Sequence, residues 1–235
     1  MPPFIGNTIR GALGQSMYDN FRNVYDAVFK VSFDESAPNP FVVSAPYPSD
    51  ISYKKGGEIT FCVTLFGLAS AYEVEITNAA RLMCNGKLAN SELIGAERVY
   101  SREWSDAGSV PDCSALTLKF ISPTEIRHSK GPVFEPNFSA FIDSLFGRIY
   151  TIIDNYTNNE FVIPYSLVVK KPLVQAEYAI EQVRVNSNNQ PINGFIGEIC
   201  YFGDITRYLP YVDLGSQLHI GKKTTRGCGE YIFEV

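Results

Sequence analysis

The run Leu218-His219-Ile220-Gly221-Lys222-Lys223-Thr224-Thr225-Arg226-Gly227-Cys228-Gly229 concentrates groups that suit an anion. Gly215, Gly221, Gly227 and Gly229 would let a loop approach a ligand with bare backbone amides, while Lys222, Lys223, Thr224, Thr225 and Arg226 supply charge and donors suited to phosphate. From Leu214 to Gly229 there is no acidic residue, although the formal charge of the whole protein is -5. His219, one of 2 histidines, stands at the mouth of this run. An ordinary turn feeding a strand has the same signature, because Gly227-Cys228-Gly229 leads into the alternating Tyr231, Phe233 and Val235. The glycine spacing matches neither a dinucleotide-binding fingerprint nor a P-loop.

Few other residues compete. His128 lies in Glu125-Ile126-Arg127-His128-Ser129-Lys130, which reads as a solvated polar turn. Lys170-Lys171 before Pro172 offers charge to an RNA backbone but reads equally as an exposed linker. Glu73 and Glu75 sit two apart on a predicted helix and face different ways, against a paired-carboxylate site. The 5 cysteines are dispersed without a Cys-x-x-Cys pair, so neither a disulfide framework nor a zinc site is expected. We expect no metal and no cofactor. No apolar run approaches the roughly 20 residues of a membrane span, and Met1-Pro2-Pro3-Phe4 lacks a signal-peptide pattern. A cytoplasmic protein without membrane contact is the expectation. Asn137-Phe138-Ser139 and Asn155-Tyr156-Thr157 match the glycosylation acceptor, which has no meaning without secretion.

These residues need a frame, and 235 residues at 45% hydrophobic can build one. Apolar residues at 9, 13, 17, 21, 25 and 28 predict one helix over Thr8–Val28, capped by Asn7 or Thr8. Strands are expected at Phe29–Phe33, Phe41–Ala45 and Glu58–Phe66, then a helix over Ala69–Asn85, a strand over Leu93–Ser101 and a loop over 102–113. The alternation restarts with a strand at Leu116, Leu118 and Phe120 and a helix over Asn137–Tyr156. Strands at Ala176–Val185 and Phe195–Phe202, a helix from Asp204 to Leu214 and a last strand at Tyr231–Val235 follow. Strand, helix, strand, strand, helix, strand is the ferredoxin-like split unit. The fold class is therefore α+β, with two ferredoxin-like halves in tandem over residues 1–110 and 111–235, the first lacking its leading strand.

Gly194-Phe195-Ile196-Gly197-Glu198-Ile199, Gly203-Asp204, Tyr208-Leu209-Pro210, Leu214-Gly215 and the His219–Gly229 run resemble the C-terminal domain of the CRISPR-associated precursor-RNA-processing endoribonucleases, the "Cas six" family of the RAMP superfamily. Pro2-Pro3-Phe4-Ile5-Gly6-Asn7-Thr8-Ile9-Arg10-Gly11-Ala12-Leu13-Gly14 is similar to that family's proline-led segment and Arg-Gly-Ala-x-Gly helix start. Pro40-Phe41-Val42 and the strand ending in Leu65-Phe66-Gly67 also fit.

The resemblance implies a protein that binds CRISPR repeat RNA and cuts it without a metal. The 2′-hydroxyl attacks the adjacent phosphate, leaving a 2′,3′-cyclic phosphate and a 5′-hydroxyl. A base, an acid and phosphate-binding cations are then required. The family's histidine in the first helix has no counterpart over Thr8–Val28, where Arg10, Gln15, Ser16, Tyr18 and Arg22 are available. His219 is therefore the leading catalytic candidate and Tyr18 the second, although a tyrosine's ordinary pKa of about 10 suits a base poorly. For His219 the alternative is a structural anchor of the Gly-rich loop. Lys222, Lys223, Thr224, Thr225, Arg226, Gly221, Gly227, Gly229 and Arg10 are the expected RNA contacts. A CRISPR effector complex is a further expected partner, and a second copy of the chain is one source of the missing edge strand. A catalytically silent RNA-binding subunit is the alternative function; an unrelated anion-binding regulatory domain is the third.

Overall fold

A computed structural model of the chain describes residues 4–30, 38–49, 53–85, 88, 91–99, 112–128, 131–158, 162–185 and 191–235. Two helices, α1 (Gly6–Asn20) and α2 (Arg22–Val28), replace the single one predicted over Thr8–Val28. Asn20, a weak helix former, turns its side-chain amide onto the Ser16 carbonyl at 2.9 Å. Phe21 then leaves the helical region at φ -138°, ψ 56°. The expected cap at Asn7 or Thr8 is also corrected, because the helix begins before both. Ile9, Leu13 and Met17 still form one buried stripe, continued by Val24 and Val28.

Strands β1 (Phe41–Ser44) and β2 (Cys62–Leu65) pair antiparallel, with Phe41 opposite Leu65 and Ser44 opposite Cys62. Beyond them, α3 (Glu73–Leu82) lies between 3₁₀ turns at Gly67–Tyr72 and Met83–Asn85. Ser16 Oγ donates to the Ala79 carbonyl at 2.8 Å, tying α1 to α3 over a core of Ile9, Leu13, Met17, Phe41, Val43 and Ile76. The strand expected at Leu93–Ser101 is not found over 91–99, where Ile94 and Val99 stand in solvent. Alternation there has no face to bury; residues 100 and 101 lie outside the described residues. Of the strand expected at Phe29–Phe33, Phe29 instead closes α2 and 31–33 lie outside the described residues. The 110/111 boundary and most of the expected 102–113 loop also fall outside them.

The second half is a complete split unit. Its elements are β3 (Ala115–Thr124), β4 (Ile126–His128), β5 (Gly131–Val133), α4 (Phe138–Tyr156), α5 (Tyr165–Val169), β6 (Gln175–Val185), β7 (Ile192–Phe202), α6 (Leu209–Leu218) and β8 (Tyr231–Glu234). The antiparallel sheet has the order β6-β7-β3-β8, so the first and third strands of the unit lie side by side. The small β4–β5 hairpin occupies what reads in sequence as a polar turn, and it leaves His128 exposed. Asn137 caps α4, its Oδ1 accepting from the Ala140 amide at 2.9 Å. Phe141, Ile142, Leu145 and Ile149 then bury one stripe of α4 against the sheet and α6. Buried Tyr201 and Tyr231 satisfy their hydroxyls on the Pro136 and Val212 carbonyls at 2.6 and 2.7 Å.

β1 joins the halves. Phe41 and Val43 enter the first core, Val42 enters the second, and all three are fully buried. The first half thus supplies the helix, two strands and helix of a ferredoxin-like unit, and no strand precedes α1 among the described residues.

Leu145→Ala should cost about 2–5 kcal/mol by opening a cavity in the second core, and Asn137→Ala about 1 kcal/mol by removing the cap. Urea unfolding of both variants checks the ranking; equal effects would mean that α4 is held mainly by its end.

Candidate functional site

The Gly-rich loop closes on itself and on β3. Ile220 N–H donates to the Gly229 carbonyl at 2.9 Å, Lys222 N–H to that of Glu125 at 3.0 Å, Gly227 N–H to that of Thr224 at 3.0 Å, and Gly229 N–H to that of Pro123 at 3.1 Å. These amides are used inside the protein, which corrects the expectation of bare amides awaiting a ligand. Gly221, Gly227 and Gly229 take φ of 79°, 88° and 77°. A Cβ at Gly229 would run into the Ile220 carbonyl, and one at Gly6 into that of Arg226. Thr224 is buried beneath the turn. Gly221, Gly227, Gly229 and Thr224 therefore build the loop rather than face RNA.

His219 is 2% exposed, with both ring nitrogens engaged. Nδ1 lies 3.2 Å from the Cys228 carbonyl. A carbonyl only accepts, so Nδ1 carries the proton and Nε2 is left to accept from Ser44 Oγ, also at 3.2 Å. Burial pushes the imidazole down to about 3, helped by nearby Arg148 and opposed by the Cys228 bond. A ring so weakly basic, without a free nitrogen, suits neither role in proton transfer. Of the two roles expected for His219, this geometry supports the anchor: the ring joins the loop to itself and to β1. Arg148 Nε and Nη2 donate to the Leu218 carbonyl at 3.3 Å, placing a cation at the C-terminus of α6.

The cations divide. Lys223 Nζ reaches the Pro191 carbonyl at 2.9 Å and Glu125 Oε2 at 3.4 Å, and Arg127 holds the other oxygen of that buried carboxylate. Lys223 is thus a structural cation rather than the expected phosphate contact. Lys222 projects into solvent. Arg10, from the far end of the sequence, donates from Nε to Thr225 Oγ1 at 3.2 Å. Burial and then the charge of Arg226 lower its pKa. The Arg10 guanidinium thus sits on the Thr225 hydroxyl within the field of Arg226. Lys171 pairs instead with Asp143 and Ser139 on α4.

Neighbouring surfaces suit RNA less. A cleft of about 420 Å³ beside His219 has Ser44, Cys62, Asp213 and Glu230 in its wall. Burial raises the Glu230 pKa. The helix-free face of the main sheet carries Glu177, Glu198 and Glu234 around Lys119, whose ammonium lies 3.3 Å from Glu198. Tyr18 is 43% exposed on α1, with the Arg22 guanidinium 4.1 Å from its ring centre. Sequence reasoning missed Ser44 and Glu125, which nothing in the local pattern marks. Among the described residues no three His, Cys, Asp or Glu side chains converge as metal ligands, and no helix is long and apolar enough to cross a membrane.

Because the folded His219 pKa lies below its usual 6.5, the unfolded chain takes up the proton first as pH falls. The anchor's stability is present at neutral pH and lost between about pH 6.5 and 3, at up to about 1.4 kcal/mol per pH unit. The stability difference between the parent and His219→Gln, from urea melts, should shrink by about 2–3 kcal/mol between pH 7 and 4.5. A difference independent of pH would show that the ring is not held neutral.

By sequence alone no curated relative matches the chain. By structure it is similar to a product complex of the Cas6 TTHB231, at 15% identity and TM-score 0.69, covering 100% of this chain and 95% of the other. It is also similar to a product complex of the Cas6 TTHA0078, at 17% identity and TM-score 0.63, with 96% and 93% covered. A structure titled as Thermus thermophilus Cas6 (TTHB231) matches at 14% identity and TM-score 0.64, with 100% and 93% covered. At such identities these likenesses show the fold. The family model described as CRISPR-associated endoribonuclease Cas6 matches residues 118–231, which run from within β3 to the start of β8 and hold the Gly-rich loop. The second half of the chain thus matches the CRISPR-associated endoribonuclease Cas6 family model, and the chain as a whole shares the fold of the Cas6 structures.

Proposed function

We propose that this protein binds the repeat RNA of a CRISPR transcript and cleaves it by attack of a ribose 2′-hydroxyl on the neighbouring phosphate, leaving a 2′,3′-cyclic phosphate and a 5′-hydroxyl. The observation that carries the reading is the meeting of Arg10 with Thr225 and Arg226, residues from opposite ends of a chain whose second half matches the Cas6 family model. In that reaction negative charge grows on the phosphorane, and guanidinium groups already in place stabilise it without reorganising. Lys222 adds a mobile cation at the rim. Structures of the Cas6 proteins TTHB231 and TTHA0078 as product complexes support RNA as the ligand class.

A second reading is favoured by the burial of His219 and the absence of histidine from α1: tight binding without cutting, as an RNA-holding subunit. In both readings the cations that grip the backbone are the same. A CRISPR effector complex as further partner, a second copy of the chain and a cytoplasmic location belong to this proposal.

The repeat transcript encoded beside the gene, incubated with the protein in EDTA, should yield a 5′ fragment ending in a cyclic phosphate. A transcript bound tightly and left intact under all conditions would establish the silent reading. Alanine at Arg10, Lys222 or Arg226 should each lower affinity and reduce the slope of log affinity against log salt by about 0.7, one single-strand contact. Lys223→Ala should instead lower the melting temperature and leave that slope alone. Unchanged slopes in the Arg10 and Arg226 variants would place the RNA elsewhere.

A further inference from the structure

An unbroken series of contacts leads from the Gly-rich loop along α1 into solvent. Arg10, bonded to Thr225, has its guanidinium carbon 5.9 Å from the centre of the Phe29 ring. Phe29 stacks on Tyr25 with centres 5.7 Å apart and planes 9° apart. Tyr25 meets Tyr18 edge to face at 5.2 Å and 89°. The Arg22 guanidinium closes the series, 4.1 Å from the Tyr18 ring centre and 5.8 Å from that of Tyr25. Phe29 is buried, Tyr25 half-buried and Tyr18 largely open, so the series is rooted in the core and ends as an aromatic surface. Acidic neighbours are occupied: Asp26 by Arg22 at 3.2 Å and Lys30 at 3.8 Å, Asp19 by the Gln15 amide at 2.9 Å.

A ring already held by two neighbours loses little freedom when a flat partner arrives. Arg10 lies at the inner end of this surface and the ion-paired Arg22 at the outer end, and a nucleotide carries a flat ring and an anion together. Arg10 and Tyr18 are eight residues apart on one helix, about 12 Å, a span within reach of a few nucleotides. The geometry points to Tyr18, Tyr25 and Arg22 as a stacking platform for an unpaired nucleobase of bound RNA, adjoining the phosphate grip at Arg10 and Arg226. This rests on the RNA-binding reading above. It gives Tyr18 a stacking role beside the catalytic one expected from sequence, with Arg22 over one face of the ring and Tyr25 set edge to face against it.

The test uses the full chain and repeat RNA carrying 2-aminopurine at each unpaired position in turn, with a deoxyribose at the cut site to block cleavage. Binding should quench fluorescence at one position. Tyr18→Ala should abolish that quench and weaken binding about five- to a hundredfold, the range for loss of one stacked base. Tyr18→Phe and Tyr18→Trp should keep both, and melting temperatures of all variants should match the parent, since Tyr18 lies outside the core. Parent-like binding and quench in Tyr18→Ala, alongside a loss in Arg226→Ala, would overturn the platform alone. So would a Tyr18→Phe variant as weak as Tyr18→Ala, since the hydroxyl would then matter. A parent protein that binds no RNA would overturn the RNA reading and the platform together.

Discussion

Everything in this molecule hangs on β1, a four-residue strand buried on both faces. A strand normally gives one face to its core and the other to a neighbour or to water. Here Phe41 and Val43 belong to one hydrophobic cluster and Val42 to another, so neither core is complete without the other half. The next residue, Ser44, reaches the imidazole of His219. Burial of three consecutive side chains thus fixes the relative position of α1 and the Gly-rich loop, and with it the meeting of Arg10 with Thr225. The basic site is a product of inter-half packing, although most of its charge lies within one short stretch.

That packing explains why the loop is so rich in chemistry that it does not offer to a ligand. A turn this tight needs positive φ at several positions and a donor or acceptor for each buried backbone group. Glycine meets the first need, and the His219 ring meets part of the second by accepting from one half of the protein and donating to the other. Burial, more than the pattern of hydrogen bonds, is what favours the neutral ring. Lys223 is held by the same logic, as the counter-charge that Glu125 needs in order to be buried. Of the loop's lysines, Lys222 is the one that faces solvent.

Much of the fold was legible because its signals are local. The stripe of α4 and the alternation in β3, β6 and β7 appear in sequence as they do in space, and with them the order of the split unit. The break at Phe21 was not legible, since every apolar position on either side still obeys helical spacing. The alternation at Leu93–Ser101 misled for the opposite reason: periodicity does not show whether a partner strand exists. In the site, the basic character of the loop could be read, but the division of labour within it could not. Whether Lys222 or Lys223 faces solvent depends on Glu125, nearly a hundred residues earlier. Whether the His219 ring is enclosed depends on contacts such as that with Ser44, farther still. The carboxylates of the sheet face are likewise spread over three strands and become one surface only after pairing.

That surface bears on how the protein would meet its ligand before touching it. Glu177, Glu198 and Glu234 cluster on the open sheet, while Lys222, Arg226 and Arg10 gather about the loop, so the net acidity of the chain is an average over regions of unlike sign. In the field of a polyanion such a molecule feels a torque as well as a force, and approach with the sheet leading costs energy at separations up to about a Debye length, roughly 8–10 Å. Rotational searching is biased before contact, and an overall negative charge need not slow capture. The carboxylates of the open sheet would then act as a rudder.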